Sequence, residues 1–405
     1  MNLHRVFQKL ESAELGDIRE SIFSSLNALG LAVPQGEVAI TAGSRGIANI
    51  AEITKSVGAW LRAQGASPFI VPAMGSHNGA TAEGQRAMIE SLGITEAAME
   101  MEIRASMDVV EIGRVASGTV YMDKHCYEAA AVFVLNRIKL HTCFSGPVQS
   151  GLMKMMVVGM GKIKTAQTFH SAPNDQMKDM IQEMGQVVLD SGKILAGLAI
   201  LEDGFDKTAE LHAVLPQDIP SVEPKLLERH RKYFPALPID SLEVLIVSEI
   251  GKTFSGTGMD TNVIGYRGIK GYEDLDTPSI RIIAALDLAE ASKGNAIGVG
   301  LADFITTRLR DAIDERKTFL NVYTTGDMNR GKIPFALESD EELVRVIKER
   351  FGEKRWMFIP NTLQLEHLYV SEDLVSEIRE NPACELEETA IPLCFENGKL
   401  ALSFR

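Results

Sequence analysis

Residues 136–170 form an apolar, glycine-rich run that contains His141, Lys154 and His170, and all three side chains are capable of chemistry. His141 follows the apolar run AAVFVL, Lys154 is followed by Met-Met-Val-Val, and His170 closes IKTAQTFH. Imidazole titrates near neutral pH and binds metals, and a partly desolvated lysine amine is a nucleophile. Taken singly, Lys154 also suits a snorkelling side chain, and His170 a residue that compensates a helix dipole.

Two earlier loops carry side chains that suit anion binding or proton transfer. EVAIT is followed by AGSRG, which contains Arg45, and PFIVPA is followed by MGSHNGAT, which contains His77. An arginine in a tight turn can bind a carboxylate or phosphate through two parallel hydrogen bonds. On its own Arg45 is more often a surface residue, and His77 is as often a packed loop histidine as a catalytic one.

The elements that must position these residues alternate between apolar strands and amphipathic helices. Strands are predicted at EVAIT, PFIVPA, AAVFVL and KILAGLAIL, helices at 49–64, 81–92 and NDQMKDMIQEMGQVVLDSG, and a short antiparallel addition at 101–123. This alternation predicts βαβ units and a mostly parallel sheet. The loops with Arg45, His77 and His141 then leave the carboxyl ends of strands, where open α/β sheets bind ligands.

The length of the chain and one change in its amino-acid composition predict two domains. The chain has 405 residues, more than one ordinary core, and residues 211–240 carry five prolines around a charged helix at 222–233. We expect an α/β fold of two α/β domains with mostly parallel sheets, at 1–211 and 241–405. A Pro-rich helical linker at 212–240 would join them, with the active site in the interdomain cleft. The first residues, MNLHRVFQKLESAELGD, are predicted to form an amphipathic helix.

Composition limits the partners and the compartment. A net charge of -14 argues against nucleic acid or anionic membrane as the main partner, since a polyanion would be repelled. No apolar run approaches the roughly 20 residues of a membrane span, so we expect a cytoplasmic protein. Four cysteines without a CxxC pair fit a reducing compartment. GMGK at 159–162 lacks the third glycine and the acid of a dinucleotide fingerprint, which argues against NAD.

In order and spacing, the motifs SHN, NRIKLH, SGLMK and TFH resemble the nickel-pincer-nucleotide lactate racemase family of 2-hydroxyacid racemases and epimerases. The resemblance covers most of the N-terminal domain and, more weakly, residues 248–265, 294–304 and 361–372. It implies a nickel pincer nucleotide, pyridinium-3-thioamide-5-thiocarboxylic acid mononucleotide nickel, covalently bound to a lysine. Transient contact with cofactor-assembly enzymes follows from the same resemblance.

The resemblance assigns a role to each residue that matches a family motif. Lys154 matches the attachment lysine, and His170 matches the nickel ligand. His77 and His141 match the two catalytic histidines, and Arg45 matches the substrate-orienting arginine. Together, five matches in order outweigh the structural interpretations of the single residues.

Two further sets of residues are candidates for binding. A helix that starts near Ser150 would offer N–H groups to a phosphate or to the cofactor. The candidates for this cofactor approach are Ser145, Gly146, Ser150 and Gly151. The candidates for substrate contact in the C-terminal domain are Lys252, Asp260, Asn262 and Arg267.

The implied reaction inverts a 2-hydroxyacid, which is lactate or a related hydroxy or sugar acid. Hydride loss from C2 gives a stable 2-keto acid, and two histidines on opposite faces handle the hydroxyl proton. The sequence departs from the lactate racemases proper, because the link from His141 to Lys154 is longer and contains Pro147 and Gln149. Ala42 also stands where those enzymes place an acid, and both differences bear on the substrate.

Two other functions remain open at this point. A zinc hydrolase would use His77, His141 and His170 as three metal ligands with an open water position. A non-catalytic protein would instead close two α/β domains around a small anion, using Arg45 and helix N-termini.

Overall fold

The computed structural model describes residues 1–44 and 46–404, apart from the side chain at position 324. The strands are, in chain order, β1 Asn2–Gln8, β2 Gly36–Ala42, β3 Ala66–Pro72, β4 Val109–Val115, β5 Gly118–Asp123, β6 Ala131–Arg137, β7 Ile194–Glu202, β8 Thr208–Val214, β9 Ser241–Ile250, β10 Ser279–Leu288, β11 Phe304–Thr306, β12 Phe335–Leu337, β13 Trp356–Ile359, β14 His367–Ser371, β15 Cys384–Leu386, β16 Ile391–Pro392, β17 Phe395–Glu396 and β18 Lys399–Leu400.

The α-helices are α1 Ile18–Ala28, α2 Ile50–Ala63, α3 Ala82–Ser91, α4 Glu96–Met99, α5 Lys124–Glu128, α6 Leu152–Lys154, α7 Lys162–Ser171, α8 Met177–Asp190, α9 Ile219–Tyr233, α10 Thr261–Ile264, α11 Thr307–Asp311, α12 Glu315–Thr325, α13 Asp340–Phe351 and α14 Val375–Glu380. A π-helical turn at Met155–Gly159 follows α6, and short 3₁₀ turns occur at Asn78–Ala80, Pro216–Asp218, Glu290–Ser292, Val299–Leu301, Met328–Gly331 and Glu372–Leu374. None of the helices in the described residues is long and apolar enough to cross a membrane.

The chain divides into two compact units. The first unit is Glu11–Phe234, and the second is Met1–Leu10 with Pro235–Arg405. In the first unit the sheet order is β3-β2-β6-β7-β8, with β3, β2, β6 and β7 parallel and β8 antiparallel. β4 and β5 pair as a separate antiparallel hairpin. The predicted α/β class with mostly parallel sheets and the short antiparallel addition are therefore confirmed.

The core of the first unit explains why its strands read as continuous apolar runs. β2 and β6 lie inside the sheet, and their middle residues are buried on both faces, as is typical of a parallel sheet covered by helices. α2 packs against this sheet through an apolar stripe at helical spacing. The stripe consists of the buried residues Ile50, Ile53, Val57, Trp60 and Leu61. The helices thus fix the strands whose ends carry the candidate site.

The second unit contains a larger mixed sheet. Its order is β12-β11-β10-β9-β13-β14-β1-β15, and β16 also pairs with β1. β12 to β13 along this path are parallel, while β14, β1 and β15 add antiparallel pairs. β1 therefore lies within a sheet whose other strands are all drawn from β9 to β16.

The predicted N-terminal helix was wrong, because residues 2–8 form β1. Leu3 pairs with Ser371 and Val6 with Leu368 and Leu386. Leu3 and Val6 are fully buried in this sheet. Pairing with strands far along the chain overrides the local apolar spacing, which is compatible with either structure.

The structure also divides the chain at different positions from the predicted boundaries. The helix predicted as a linker is α9, and it belongs to the first unit. Ile219, Leu226 and Leu227 are buried there. Pro220 lies in the first turn, where it marks the start of a helix rather than a connection between domains, and Pro224 lies inside the helix.

Candidate functional site

The carboxyl ends of β3, β2 and β6 lie side by side in the first unit. Each of these strands is parallel to its neighbour, as the sequence predicted. The loop after β2 carries Ser44, the loop after β3 carries His77, and the loop after β6 carries His141. Arg45, the predicted substrate-orienting residue, lies outside the described residues. The two histidines therefore occupy the edge of the sheet where α/β proteins bind ligands.

His77 is exposed and contacts a serine from the neighbouring loop. Its Nδ1 and the Ser44 hydroxyl form a short hydrogen bond. A hydroxyl group can donate or accept, so this partner suits either tautomer of His77. His77 can thus present Nε2 as a proton acceptor or as a donor without losing Ser44.

The base of the His77 loop rests on a buried ammonium group. Lys162 is fully buried, and its Nζ donates to the carbonyl of Pro72 at the end of β3. It also lies 3.2 Å from Oδ2 of the fully buried Asp123 and donates to Oε1 of Gln85 at 3.3 Å. Nε2 of Gln85 donates to the carbonyl of Gly75, two residues before His77, at 2.8 Å. Charged and polar groups thus hold this loop from below.

The His141 loop is held by neutral groups. Two hydrogen bonds between Lys139 and Ser150, of 2.8 and 3.2 Å, close its base. The backbone N–H of His141 donates to Oε1 of the buried Gln149 at 2.7 Å. The backbone N–H of Cys143 donates to Nδ1 of His141 at 3.1 Å. Because a backbone N–H only donates, Nδ1 is unprotonated here, and neutral His141 carries its proton on Nε2.

An aromatic row connects His141 with His170. The His141 ring packs against Phe144 with centroids 4.3 Å apart, and Phe144 meets Phe169 edge-on at 6.4 Å. Phe169 meets His170 edge-on at 5.4 Å. Both phenylalanines are fully buried, so the row is rigid and fixes the two imidazoles relative to each other.

Lys154 and His170 act on each other electrostatically. Lys154 ends α6 and is half-buried, and the π-helical turn follows it directly. His170 lies in the last turn of α7. Although its side chain is exposed, desolvation and then the charge of Lys154 lower the pKa of His170 to about 4. The imidazole is therefore neutral at physiological pH, and its lone pair is available to a metal.

Residues 38–181 match the family model described as lactate racemase N-terminal domain. The matched segment includes His77, His141, Lys154 and His170.

One solved structure extends the likeness along the chain. The fold is similar to the lactate racemase apoprotein from Thermoanaerobacterium thermosaccharolyticum, with a TM-score of 0.54 and 12% sequence identity. The match covers 90% of this chain and 99% of that chain. No curated protein matches the sequence at a significant level. At this identity the structural likeness establishes the fold.

The loop predicted as the cofactor approach has mainly structural contacts. Ser150 pairs through its backbone with Lys139, and a side chain on Gly146 would press on Lys178. At the start of the helix that follows Ser150, the N–H of Met153 is already bound, because Glu223 of α9 accepts it at 2.9 Å. Cofactor contacts of Ser145, Gly146, Ser150 and Gly151 stay a prediction.

The substrate candidates of the second unit lie in loops with contacts of their own. Asp260 caps α10 and accepts from the backbone and side chain of Asn262, both at 3.0 Å. Lys252 donates to Oδ1 of Asn321 at 2.6 Å. Arg267 is buried and donates to the carbonyl of Glu273 at 3.2 Å. Substrate binding by Lys252, Asp260, Asn262 and Arg267 stays a prediction.

The three-histidine zinc alternative was wrong. Among residues 1–44 and 46–404, no three His, Cys, Asp or Glu side chains are arranged to hold one metal ion. His77, His141 and His170 are all within this described part, yet they do not form such a group.

Several residues that support the candidate site were missed from sequence. Ser44 was within AGSRG, and Gln149 was noted only as a departure from the family. The signal for Gln149 was its position in a loop between two candidate residues. Phe144 and Phe169 flank His141 and His170 closely in sequence and could have been found as aromatic neighbours. Glu223 gave no local signal.

Proposed function

We propose that this chain is a racemase or epimerase of a 2-hydroxyacid, acting with a nickel pincer nucleotide tethered to Lys154. The substrate would be lactate or a related hydroxy or sugar acid. One observation carries the proposal. The aromatic row joins a proton-transfer candidate, His141, to a neutral metal-ligand candidate, His170, whose pKa responds to Lys154. This cluster lies in the segment that matches the lactate racemase N-terminal domain.

The residues fit the proposed cofactor. A lowered pKa keeps His170 in the neutral form that binds a metal. A pincer ligand brings its own donor atoms, so a single histidine suffices, and no group of three ligands is needed among the described residues. Lys154 would hold the cofactor covalently and His170 would bind its nickel. When bound, the cofactor would supply an acceptor for the C2 hydride, which side chains do not provide.

The two histidines would handle the hydroxyl proton of the substrate. His77 accepts this proton at Nε2 when its Nδ1–H donates to Ser44. His141 starts with its proton on Nε2, so it is prepared as a hydrogen-bond donor to the substrate oxygen. To serve as a base at Nε2, His141 must first give up the contact with the N–H of Cys143. Arg45 would bind the substrate carboxylate.

The decisive experiment is intact mass and metal analysis of the chain produced together with cofactor-assembly enzymes. We expect a covalent increment on the peptide with Lys154 and about one nickel per chain. Lys154→Arg keeps the charge and should abolish the increment, and His170→Ala should keep the increment while losing nickel. An unmodified Lys154 in the presence of active assembly enzymes would falsify the proposal.

Loaded protein should then be tested on a panel of chiral 2-hydroxyacids. Enzymatic turnover scrambles the configuration at C2, which chiral chromatography detects. His77→Asn and His141→Asn should each lose most of the rate, by about 10²–10⁴-fold. Substrate-induced thermal stabilisation without inversion by any acid would favour the anion-binding alternative.

A further inference from the structure

A side chain from α9 fixes the start of the short helix that carries Lys154. Glu223 is 2% exposed, and its Oε2 accepts the backbone N–H of Met153 at 2.9 Å. Burial raises the pKa of Glu223 to about 7, while backbone hydrogen bonds from Met153 and Leu152 act in the opposite direction. Gly151, at the N-cap of α6, has no side chain to cap the helix. Glu223 therefore takes the place of a local N-cap.

Gly151 leaves the space that Glu223 occupies. A Cβ at this position would overlap Oε1 of Glu223 and lie 2.7 Å from Cδ1 of Ile138. The carbonyl of Gly151 accepts from Nδ2 of Asn136 at 2.6 Å and from the N–H of Met155 at 3.0 Å. The backbone just before Lys154 is thus held by β6 on one side and by α9 on the other.

The chemistry of Glu223 exceeds what a structural cap needs. A buried carboxylate is costly, and its Oε1 has no hydrogen-bond partner among the described residues. A neutral side chain that accepts the same N–H groups would avoid that cost. Despite this cost, the Glu223 carboxyl group joins α9 to the turn that presents Lys154.

We propose that Glu223 is a positioning residue for Lys154, which fixes the first turn of α6 and thereby the direction and reactivity of the amine. This inference rests on the proposed function of Lys154 as the cofactor tether. It also gives α9, which the sequence presents as a linker, a part in the candidate site. Glu223 acts through the backbone of residues 152 and 153 and not by touching the substrate.

The test uses the full chain without cofactor, so it does not depend on whether Lys154 is later modified. An amine-reactive reagent is applied over a range of pH, and the labelling of Lys154 is compared with that of the exposed Lys164 by peptide mass spectrometry. Hydrogen exchange of the peptide covering 150–158 is measured in parallel. Glu223→Ala should speed exchange there by about fivefold, as expected for one lost buried hydrogen bond, and change the labelling profile of Lys154.

Two variants separate positioning from general stability. Glu223→Gln keeps an acceptor oxygen, so exchange should return towards that of the parent protein. Leu227→Ala removes a buried side chain from the same helix and leaves the Glu223 carboxyl group in place, so it should lower the melting temperature and leave the Lys154 profile unchanged. The proposal is overturned if Glu223→Ala leaves the profile and exchange as they were, or if Leu227→Ala changes the Lys154 profile equally. A failure of Lys154 to be modified by the assembly enzymes would instead refute only the proposed function.

Discussion

The loops that carry His77 and His141 leave strands of one parallel sheet, yet they are supported in opposite ways. Beneath the His77 loop, the ammonium of Lys162 binds the carboxylate of Asp123, the amide of Gln85 and the end of β3. The His141 loop instead rests on the amide of Gln149 and on buried aromatic rings. One support is ionic and the other is neutral.

The two histidines also differ in which tautomers their hydrogen-bond partners permit. His77 contacts a hydroxyl group, which can hydrogen-bond to either tautomer of the ring. His141 contacts a backbone N–H, which can hydrogen-bond only to the tautomer with an unprotonated Nδ1. The charged support thus carries a histidine whose partner suits either tautomer, and the neutral support carries a histidine whose partner suits only one. The two proposed acid–base groups are therefore not equivalent, and each can be perturbed by a different kind of substitution.

The largest expected effect comes from the ionic support. Lys162→Met keeps the length of the side chain and leaves Asp123 as a buried, uncompensated charge. We expect the free energy of unfolding to fall by about 3–5 kcal/mol, measured by urea denaturation. Adding Asp123→Asn should recover part of this loss, because Asn still accepts the N–H of Cys126 that Asp123 now caps. A single variant as stable as the parent protein would show that the pair does not hold the loop.

The second effect concerns the far end of the aromatic row. The pKa of His170 is lowered to about 4, so the folded state binds this proton less tightly than the unfolded state does. Its contribution to stability is present above pH 6.5 and is lost as the pH falls towards 4. Histidine C2–H exchange, read by mass spectrometry, should give a midpoint near 4.

Lys154→Met should raise that midpoint, because the charge of Lys154 is the second cause of the shift. Desolvation is the larger cause, so we expect the midpoint to remain below 6.5. A parent midpoint at the ordinary histidine value would contradict the idea that His170 is held neutral for a metal.

A smaller effect is expected from the neutral support. Gln149→Ala removes the acceptor of the His141 N–H in a buried position, at a cost of about 1–3 kcal/mol. Hydrogen exchange of residues 139–150 should rise more than that of the His77 loop. Gln182→Ala, an exposed glutamine bonded only within its own helix among the described contacts, serves as the control and should change neither.

The sequence could predict the strands and the positions of the candidate residues, because both follow from local patterns. Apolar runs identified β2, β3 and β6, and their polar ends located His77 and His141. The supports could not be predicted in the same way, since they join distant segments. Lys162 reaches Pro72 across 90 positions, and Glu223 reaches Met153 across 70.

The same distinction explains the wrong N-terminal helix and the wrong boundary. β1 exists because it pairs with β14, more than 360 residues away, and nothing in residues 2–8 specifies that partner. α9 was predicted correctly as a helix. Its burial in the first unit could not be predicted, because apolar residues such as Ile219 occur both in linker helices and in cores. The local spacing of apolar residues specifies a helix or a strand, whereas the segment against which it packs is determined by the complete fold.

The smallest expected effect tests the adaptable histidine. Ser44→Ala removes the hydroxyl partner of His77 at an exposed site, so the free energy of unfolding should change by less than about 0.5 kcal/mol. The tautomer populations of His77, measured from ¹⁵N chemical shifts, should nevertheless change, while those of His141 should not. Ser76→Ala, next to His77, is the matched control and should leave both unchanged. Equal tautomer shifts at both histidines would mean that Ser44 does not distinguish them. The difference between the two loops would then lie only in the ionic and neutral groups that support them.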